Sequence, residues 1–291
     1  VSAVIIDGRA IAASVREGLA ARVRDLRAAG VQPGLGVILV GDNPASETYV
    51  RLKGKVADEL GIRVDQRTPP AESSTEEILA LVQEMNDDDR IDGILVQLPL
   101  PAQVEQDVPL HAIRPDKDAD GLHPYNFGLL AAGARAPVVS CTPAGCMEML
   151  RRHEIPLRGS RAVVVGRSAI VGRPMAVLLL NADCTVTVCH SRTADLPAVC
   201  READILVAAI GRPGLITAEH VKPGACVIDV GTSSVDGKIR GDVDRASVEP
   251  VAGWLTPVPG GVGPMTIAML MHNTVALCEA RRGTAVATAP R

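Results

Sequence analysis

Residues 161–180 read "RAVVVGRSAIVGRPMAVLLL". The apolar run Ala162–Val165 has the form of a buried strand, Gly166 and Gly172 mark a loop, and Pro174 suits the first turn of the helix that follows. Strand, glycine loop and helix in that order is the setting in which backbone N–H groups and a helix dipole hold a pyrophosphate. The loop is not G-x-G-x-x-G, because Ser168 stands where the second glycine would be. A strand-to-helix turn also needs glycine for steric reasons, so a cofactor site and a plain structural turn both remain open at this point.

The next strand carries more information. It ends in "CHSRT", with His190, Ser191 and Arg192 and no carboxylate. An NAD site usually places Asp or Glu there to accept from the ribose hydroxyls. A guanidinium and a hydroxyl instead match a ribose 2′-phosphate, and Arg173 at the head of the helix offers a second cation. The expected cofactor is NADP, against the plainer reading of a solvated arginine at a loop tip.

Outward from this segment, short apolar strands alternate with helical patterns, the sequence form of a parallel sheet covered by helices. "RAVVVG", "CTVTVCH", "DILVAAIG" and "ACVIDVG" form one series. "LGVILVG", "IRVDQR" and "DGILVQLPL" form an earlier one, with helices near 10–29, 45–60 and 75–86. The expected fold class is α/β, with two α/β domains joined near residue 140, the second Rossmann-like. The N-terminal stretch "VSAVIIDGRAIAASV" reads as a strand and an amphipathic helix of the first domain.

Composition narrows the function classes. The chain has 291 residues, 47% of them hydrophobic and 1% aromatic, so its cores must be aliphatic. A net charge of −4 argues against a nucleic-acid or anionic-membrane partner. No stretch approaches the roughly 18 apolar residues of a membrane helix. The seven cysteines form no C-x-x-C pair and no common metal spacing, which points to buried thiols, a cytoplasmic protein and no metal.

Only 5 of the 30 basic residues are lysines. One of them, Lys53, falls on the inward side of the helix "ASETYVRLKGKVADEL", beside an apolar stripe read as Tyr49, Leu52, Val56 and Leu60, with Ser46 near it. An inward lysine is costly unless paired, which makes sense if it faces a cleft and exchanges a proton. Gln97 ends an otherwise apolar strand, where open α/β sheets place ligands. "PDKDADGLHPYN" gathers Asp116, Lys117, Asp118 and Asp120 in a loop whose plain reading is solvated acidic surface.

Five segments in one order carry a resemblance: "SETYVRLK", "GILVQLPLP", "PDKDADGLHPYN", "GRSAIVGRPM" and "TPVPGGVGPMT". Over nearly its whole length the chain resembles the bifunctional methylenetetrahydrofolate dehydrogenase/methenyltetrahydrofolate cyclohydrolase family. Two departures are visible: Ser140 where the family commonly shows Pro, and Thr232 where Ile is frequent.

The resemblance implies two α/β domains flanking a cleft. Residues 1–140 would bind folate with 265–283 packing back on them, 141–264 would bind NADP, and 284–291 would be a flexible tail. It implies Lys53 as the acid/base residue, Tyr49 beside it, Gln97 orienting it, and Asp120 reading the pterin. Ser46, Val96, Leu98, Pro259, Gly260, Gly261, Gly263, Pro264 and Thr266 would line the folate site. Gly166, Arg167, Ser168, Val171, Gly172, Arg173, Ser191, Arg192 and Thr232 would surround NADP. It implies a homodimer and two consecutive activities, dehydrogenase then cyclohydrolase. A dehydrogenase alone, or a non-catalytic NADP-binding protein, are the alternatives. The joint presence of Lys53, Gln97 and Asp120 weighs against both.

Overall fold

The structure, a computed structural model, describes residues 2–283. The expected tail at 284–291 lies outside the described residues. The chain runs through β1 (Val4–Ile5), α1 (Gly8–Ala28), β2 (Gly34–Ile38), α2 (Pro44–Leu60), β3 (Arg63–Arg67), α3 (Thr75–Asp87) and β4 (Gly93–Val96). It continues through α4 (Asp107–Ala112), α5 (Pro124–Ala131), α6 (Cys141–Arg152), β5 (Arg161–Val165), α7 (Gly172–Asn181), β6 (Thr185–Cys189) and α8 (Leu196–Cys200). The last elements are β7 (Ile205–Ala208), β8 (Cys226–Asp229), β9 (Ser233–Val235), β10 (Lys238–Arg240), α9 (Arg245–Val248), β11 (Trp254–Leu255) and α10 (Val262–Arg282).

Residues 2–13 and 140–266 form one compact unit, and residues 14–139 and 267–283 form another. The first holds a six-stranded sheet in the order β1-β11-β8-β7-β5-β6, parallel throughout. Its central strands β5, β7 and β8 are runs of Val, Ile, Leu, Ala and Cys buried almost without break, as strands covered on both faces must be. Val163, Val165, Leu206, Val227 and Leu255 belong to one core with Ala3.

The second unit holds the parallel three-stranded sheet β3-β2-β4. Helix α3 packs Ile78, Val82 and Met85 into a core with Ile38, Ile94 and Val96. A capping box starts α3, with Ser74 Oγ accepting from the Glu77 amide and the Glu77 carboxylate accepting from the Ser74 amide. In the same unit, α10 sets the buried Glu279 against Arg22 of α1 through two hydrogen bonds of 3.0 and 2.6 Å. Arg281 Nη1 donates to the Ile91 carbonyl at 2.7 Å.

One expectation is corrected. The N-terminal strand does not join the earlier strand series: Val4 registers with Trp254 and Ile5 with Leu255, at the edge of the six-stranded sheet. Two residues are enough, because the amide of Val4 donates to Gly253 O at 2.8 Å and that of Ile6 to Leu255 O at 3.0 Å. Pairing so distant in sequence leaves no local pattern to read.

Candidate active site

Asn43 opens α2 by accepting from the amides of Ala45 and Ser46, Pro44 fills the first turn, and Gly61 closes the helix at φ 77°. The buried face is Ser46, Val50, Lys53, Val56, Ala57 and Leu60. Leu52, read from sequence as part of the stripe, is exposed, while Val50 and Ala57 take its place. Ser46 and Lys53 lie on the buried stripe itself. Tyr49 is half-buried one turn before Lys53.

Lys53 is 7% exposed, and its Nζ donates to Gln97 Oε1 at 2.8 Å. Gln97 follows β4 directly, and its Nε2 donates to the Leu98 carbonyl at 2.7 Å. The second bond fixes which face of the amide meets the lysine, since the nitrogen is already committed. Val96 is buried and Leu98 half-buried beside it. The structure thus brings together Lys53 and Gln97, the pair that the family resemblance sets side by side.

The loop at 115–126 is not the solvated acidic surface of the plain reading. Lys117 is fully buried, and its Nζ donates to three carbonyls at the end of α3: Met85 at 3.1 Å, Asn86 at 2.7 Å and Asp88 at 2.8 Å. An ammonium has three donors, so all are used on orphan carbonyls of a helix end. Burial, and then the neighbouring Arg281 and Arg114, pull its pKa down to about 8.

Asp118 is 2% exposed and accepts from the amides of Leu122 and His123 at 3.0 and 2.9 Å and from Asn126 Nδ2 at 2.9 Å. Burial raises its pKa, against the lowering by those donors. Asn273 of α10 donates to Ala119 O at 2.9 Å and to Val139 O at 3.0 Å. These bonds fix the backbone on both sides of Asp120, which stays half-buried.

In the other unit, the turn from β5 to α7 is a close passage of backbone. A Cβ on Gly166, whose φ is 123°, would overlap the Ala209 carbonyl, and one on Gly172 would overlap the Gly166 carbonyl. Ser168 Oγ accepts from the amides of Val171 and Gly172 at 3.2 and 3.3 Å. The serine that breaks the glycine fingerprint thus occupies two amides that the sequence reading left for a pyrophosphate. Arg167, Ser168 and Arg173 are exposed, with Arg173 Nε donating to Arg167 O at 3.3 Å.

Beyond β6, His190 closes a small ring. Its amide donates to Thr193 Oγ1 at 2.9 Å, and its Nδ1 accepts from the Arg192 amide at 3.2 Å. Ser191 and Arg192 project from this braced turn, both exposed and with no acid at the strand's end. The cradle that a Cβ would fill, together with this acid-free end, fits a dinucleotide carrying a ribose phosphate. Thr232 is exposed just before β9.

The segment Pro259–Thr266 lies in this unit as well. Gly261 is buried, Gly260, Gly263 and Pro264 are half-buried, and Pro259 is exposed. The hydroxyls of Thr266 and Thr142 are 2.9 Å apart. The expected residues accordingly form two groups: Ser46, Tyr49, Lys53, Val96, Gln97, Leu98 and Asp120 in one unit, the remainder in the other.

Sequence reading missed two buried carboxylates. Asp229, the last residue of β8, accepts from the amides of Gly231, Asp242 and Val243 at 3.0, 2.9 and 3.0 Å. Burial pushes its pKa up to about 6. Asp242 Oδ2 accepts from Ile210 and Gly211 at 2.6 and 3.0 Å. Together they brace the turns after β7 and β8. Both stand in "DVG" and "GDVD", whose glycines are the only outward sign.

All seven cysteines are buried and unbridged. Among the described residues no cluster of His, Cys, Asp or Glu is placed to hold a metal ion, and no helix is long and apolar enough to cross a membrane.

Comparison with known proteins covers both units. Residues 6–120 match the family described as tetrahydrofolate dehydrogenase/cyclohydrolase, catalytic domain, and residues 140–282 match its NAD(P)-binding domain. The chain is 53% identical to the bifunctional protein FolD of Koribacter versatilis, over 98% of this chain and 99% of that one. It is 55% identical to that of Cereibacter sphaeroides over 94% of each. Among solved structures, the bifunctional FolD enzyme of Campylobacter jejuni superposes with a TM-score of 0.94 at 46% identity, covering 96% of this chain and 100% of that one. The Trypanosoma brucei enzyme, complexed with NADP cofactor and inhibitor, gives 0.93 at 41% identity, covering 97% and 99%.

Proposed function

The chain belongs to the tetrahydrofolate dehydrogenase/cyclohydrolase family, and from that membership we propose that Lys53 is the residue on which its second activity turns. The enzyme is bifunctional: it oxidises 5,10-methylenetetrahydrofolate to the 5,10-methenyl cation with NADP⁺, then hydrolyses the cation to 10-formyltetrahydrofolate. NADP⁺ supplies the hydride acceptor when bound. Gly166, Ser168, Gly172 and Arg173 would hold its pyrophosphate side, and Ser191 and Arg192 its ribose phosphate. Arg167, Val171 and Thr232 would complete the contacts.

The observation that carries the Lys53 assignment is its 2.8 Å hydrogen bond to Gln97 in an almost fully buried position. An amide oxygen accepts from the amine in either protonation state. A carboxylate there would supply a counter-charge and fix the ammonium, so glutamine suits a group that must gain and lose a proton. Hydrolysis needs both events: water attacks the methenyl carbon and gives up a proton, then, as the bond from that carbon to N5 breaks, the nitrogen takes a proton and the new hydroxyl gives up its own to become the formyl oxygen. Tyr49 would flank the reacting carbon. Asp120, on its braced loop, would accept from the pterin amino and ring N–H groups, which a carboxylate is suited to read. Ser46, Val96 and Leu98 of the same unit would line the remaining folate surface.

The test is Lys53→Gln, assayed with methylenetetrahydrofolate and NADP⁺ while methenyl absorbance and formyl product are followed separately. Cyclohydrolase activity should fall by about 10²–10⁴-fold, with methenyl product accumulating from a surviving dehydrogenase. Cyclohydrolase rates within a few-fold of the unmodified enzyme would remove Lys53 from the proton-transfer role.

The same reading takes the enzyme to be a cytoplasmic homodimer. Seven unbridged cysteines suit a reducing compartment. The β9–β10 hairpin presents half-exposed Ile239 on a two-stranded ribbon, a surface suited to a second copy. Sedimentation velocity reads the assembly directly.

A further inference from the structure

Ser140 precedes α6 at the position where serine ordinarily caps a helix, accepting from the first free amides. Its side chain makes no such cap. Instead, Oγ donates to the Ile170 carbonyl at 2.7 Å, and the residue is 3% exposed. Ile170 lies inside the turn between β5 and α7, just before the two amides that Ser168 Oγ accepts. The turn is therefore held from within by Ser168, and from outside, through the Ile170 carbonyl, by Ser140.

We propose that Ser140 is a positioning residue for NADP⁺, anchoring the 168–172 turn so that Gly166 and Gly172 keep the close backbone passage a pyrophosphate needs. The role is specific to a donor at this position. Ser140 has φ −50° and ψ 128°, a backbone conformation that proline adopts freely, so the residue common in the family would leave the path of the chain unchanged and the Ile170 carbonyl without this donor.

The inference rests on the NADP reading above, and the experiment separates the two. Ser140→Ala and Ser140→Pro both remove the donor, and the second preserves the backbone. Each should raise KM for NADP⁺ roughly threefold to tenfold, the range of one buried hydrogen bond. The rate of methenyltetrahydrofolate hydrolysis, measured with no NADP⁺ present, should stay within twofold, and NADPH fluorescence titration should show the same loss of affinity. Ser140→Thr keeps a hydroxyl and should restore the unmodified KM. If the unmodified protein does not use NADP⁺, the cofactor reading itself fails. If it does, and both Ala and Pro variants keep KM for NADP⁺ within twofold, or lose hydrolysis in parallel, Ser140 has no positioning role.

Discussion

Between β5 and α7 the backbone closes on itself: Gly166 and Gly172 leave no room for a side chain, and short hydroxyls hold the turn. In residues 115–126 the backbone is held by large buried polar groups: Lys117 on three carbonyls, Asp118 on two amides and Asn126, and Asn273 from α10. In the proposed site the first loop would present peptide groups to the cofactor, and its close backbone passage already excludes bulk. The second would hold one carboxylate, Asp120, for the proposed pterin contact, and buried side chains on either side of it brace the backbone. Sequence shows the first device as glycine at fixed places. It shows the second as a run of charges indistinguishable from solvated surface.

The difference predicts opposite sensitivities. Gly166→Ala puts a Cβ against the Ala209 carbonyl at a φ of 123°, and neither the clash nor the conformation is relieved by a rotamer. Destabilisation should be on the order of 3–5 kcal/mol, with NADP⁺ turnover lost, read by thermal unfolding and by the dehydrogenase assay. A variant of ordinary stability would mean that this passage is looser than its geometry implies.

In the 115–126 loop the corresponding break is polar. By sequence, Asp118→Ala should matter less than Asp120→Ala, because only Asp120 matches the pterin position. The structure reverses the order for stability. Removing the Asp118 carboxylate takes the acceptor from two part-buried amides and from one N–H of Asn126, whose amide keeps its bond to the Pro115 carbonyl, a loss of about 2–4 kcal/mol. Asp120→Ala should abolish most of both activities while the Tm stays within about 1 °C, since a half-buried carboxylate is being removed. Equal Tm values for the two variants would show that Asp118 does not brace the loop.

Much of this was legible in the sequence because it follows periods and punctuation. The strands β2, β4, β5, β7 and β8 are short apolar runs of the kind that buried parallel sheets impose, while β3 and β6, at sheet edges, are more polar. Lys53 stands out because, in a chain with few lysines, one beside Tyr49 on the inward face of a helix is anomalous. The hairpin β9–β10 carries a short turn signal of its own, Asp236-Gly237 between short strands, both residues at positive φ. Lys117, Asp118, Asp229 and Asp242 were illegible for another reason. A carboxylate's identity does not say whether its partners are waters or amides of residues distant in sequence, and only tertiary structure decides.

A smaller effect sharpens the cofactor side. Arg192→Ala deletes an exposed guanidinium on a turn whose backbone is fixed by His190 and Thr193. It should weaken NADP⁺ use by about tenfold, from a charge-assisted bond, and leave NAD⁺ use nearly unchanged. Comparison of kcat/KM for the two cofactors checks it, and an equal loss for both would assign Arg192 to the pyrophosphate or to structure.

The smallest expected effect bears on Lys117 and on whether a buried charge braces its loop. Its folded pKa, about 8, lies below the ordinary 10.5, chiefly through burial and then through Arg281 and Arg114, against the opposing pull of Asp116 and Asp89. Between those two values the unfolded chain holds a proton that the folded chain has released. The unfolded state binds more protons there, so stability rises with pH across the interval and is insensitive to this group well below it. Lys117→Met removes the titration but keeps Arg281, Arg114, Asp116 and Asp89, whose own contributions cancel in the difference. The stability gap between unmodified enzyme and variant should therefore widen by about 1 kcal/mol as pH is raised from about 7 to about 9. Urea unfolding of both proteins at the two pH values measures it. A gap that stays constant would mean that Lys117 keeps an ordinary pKa, and that its three carbonyls offset the cost of burying the charge.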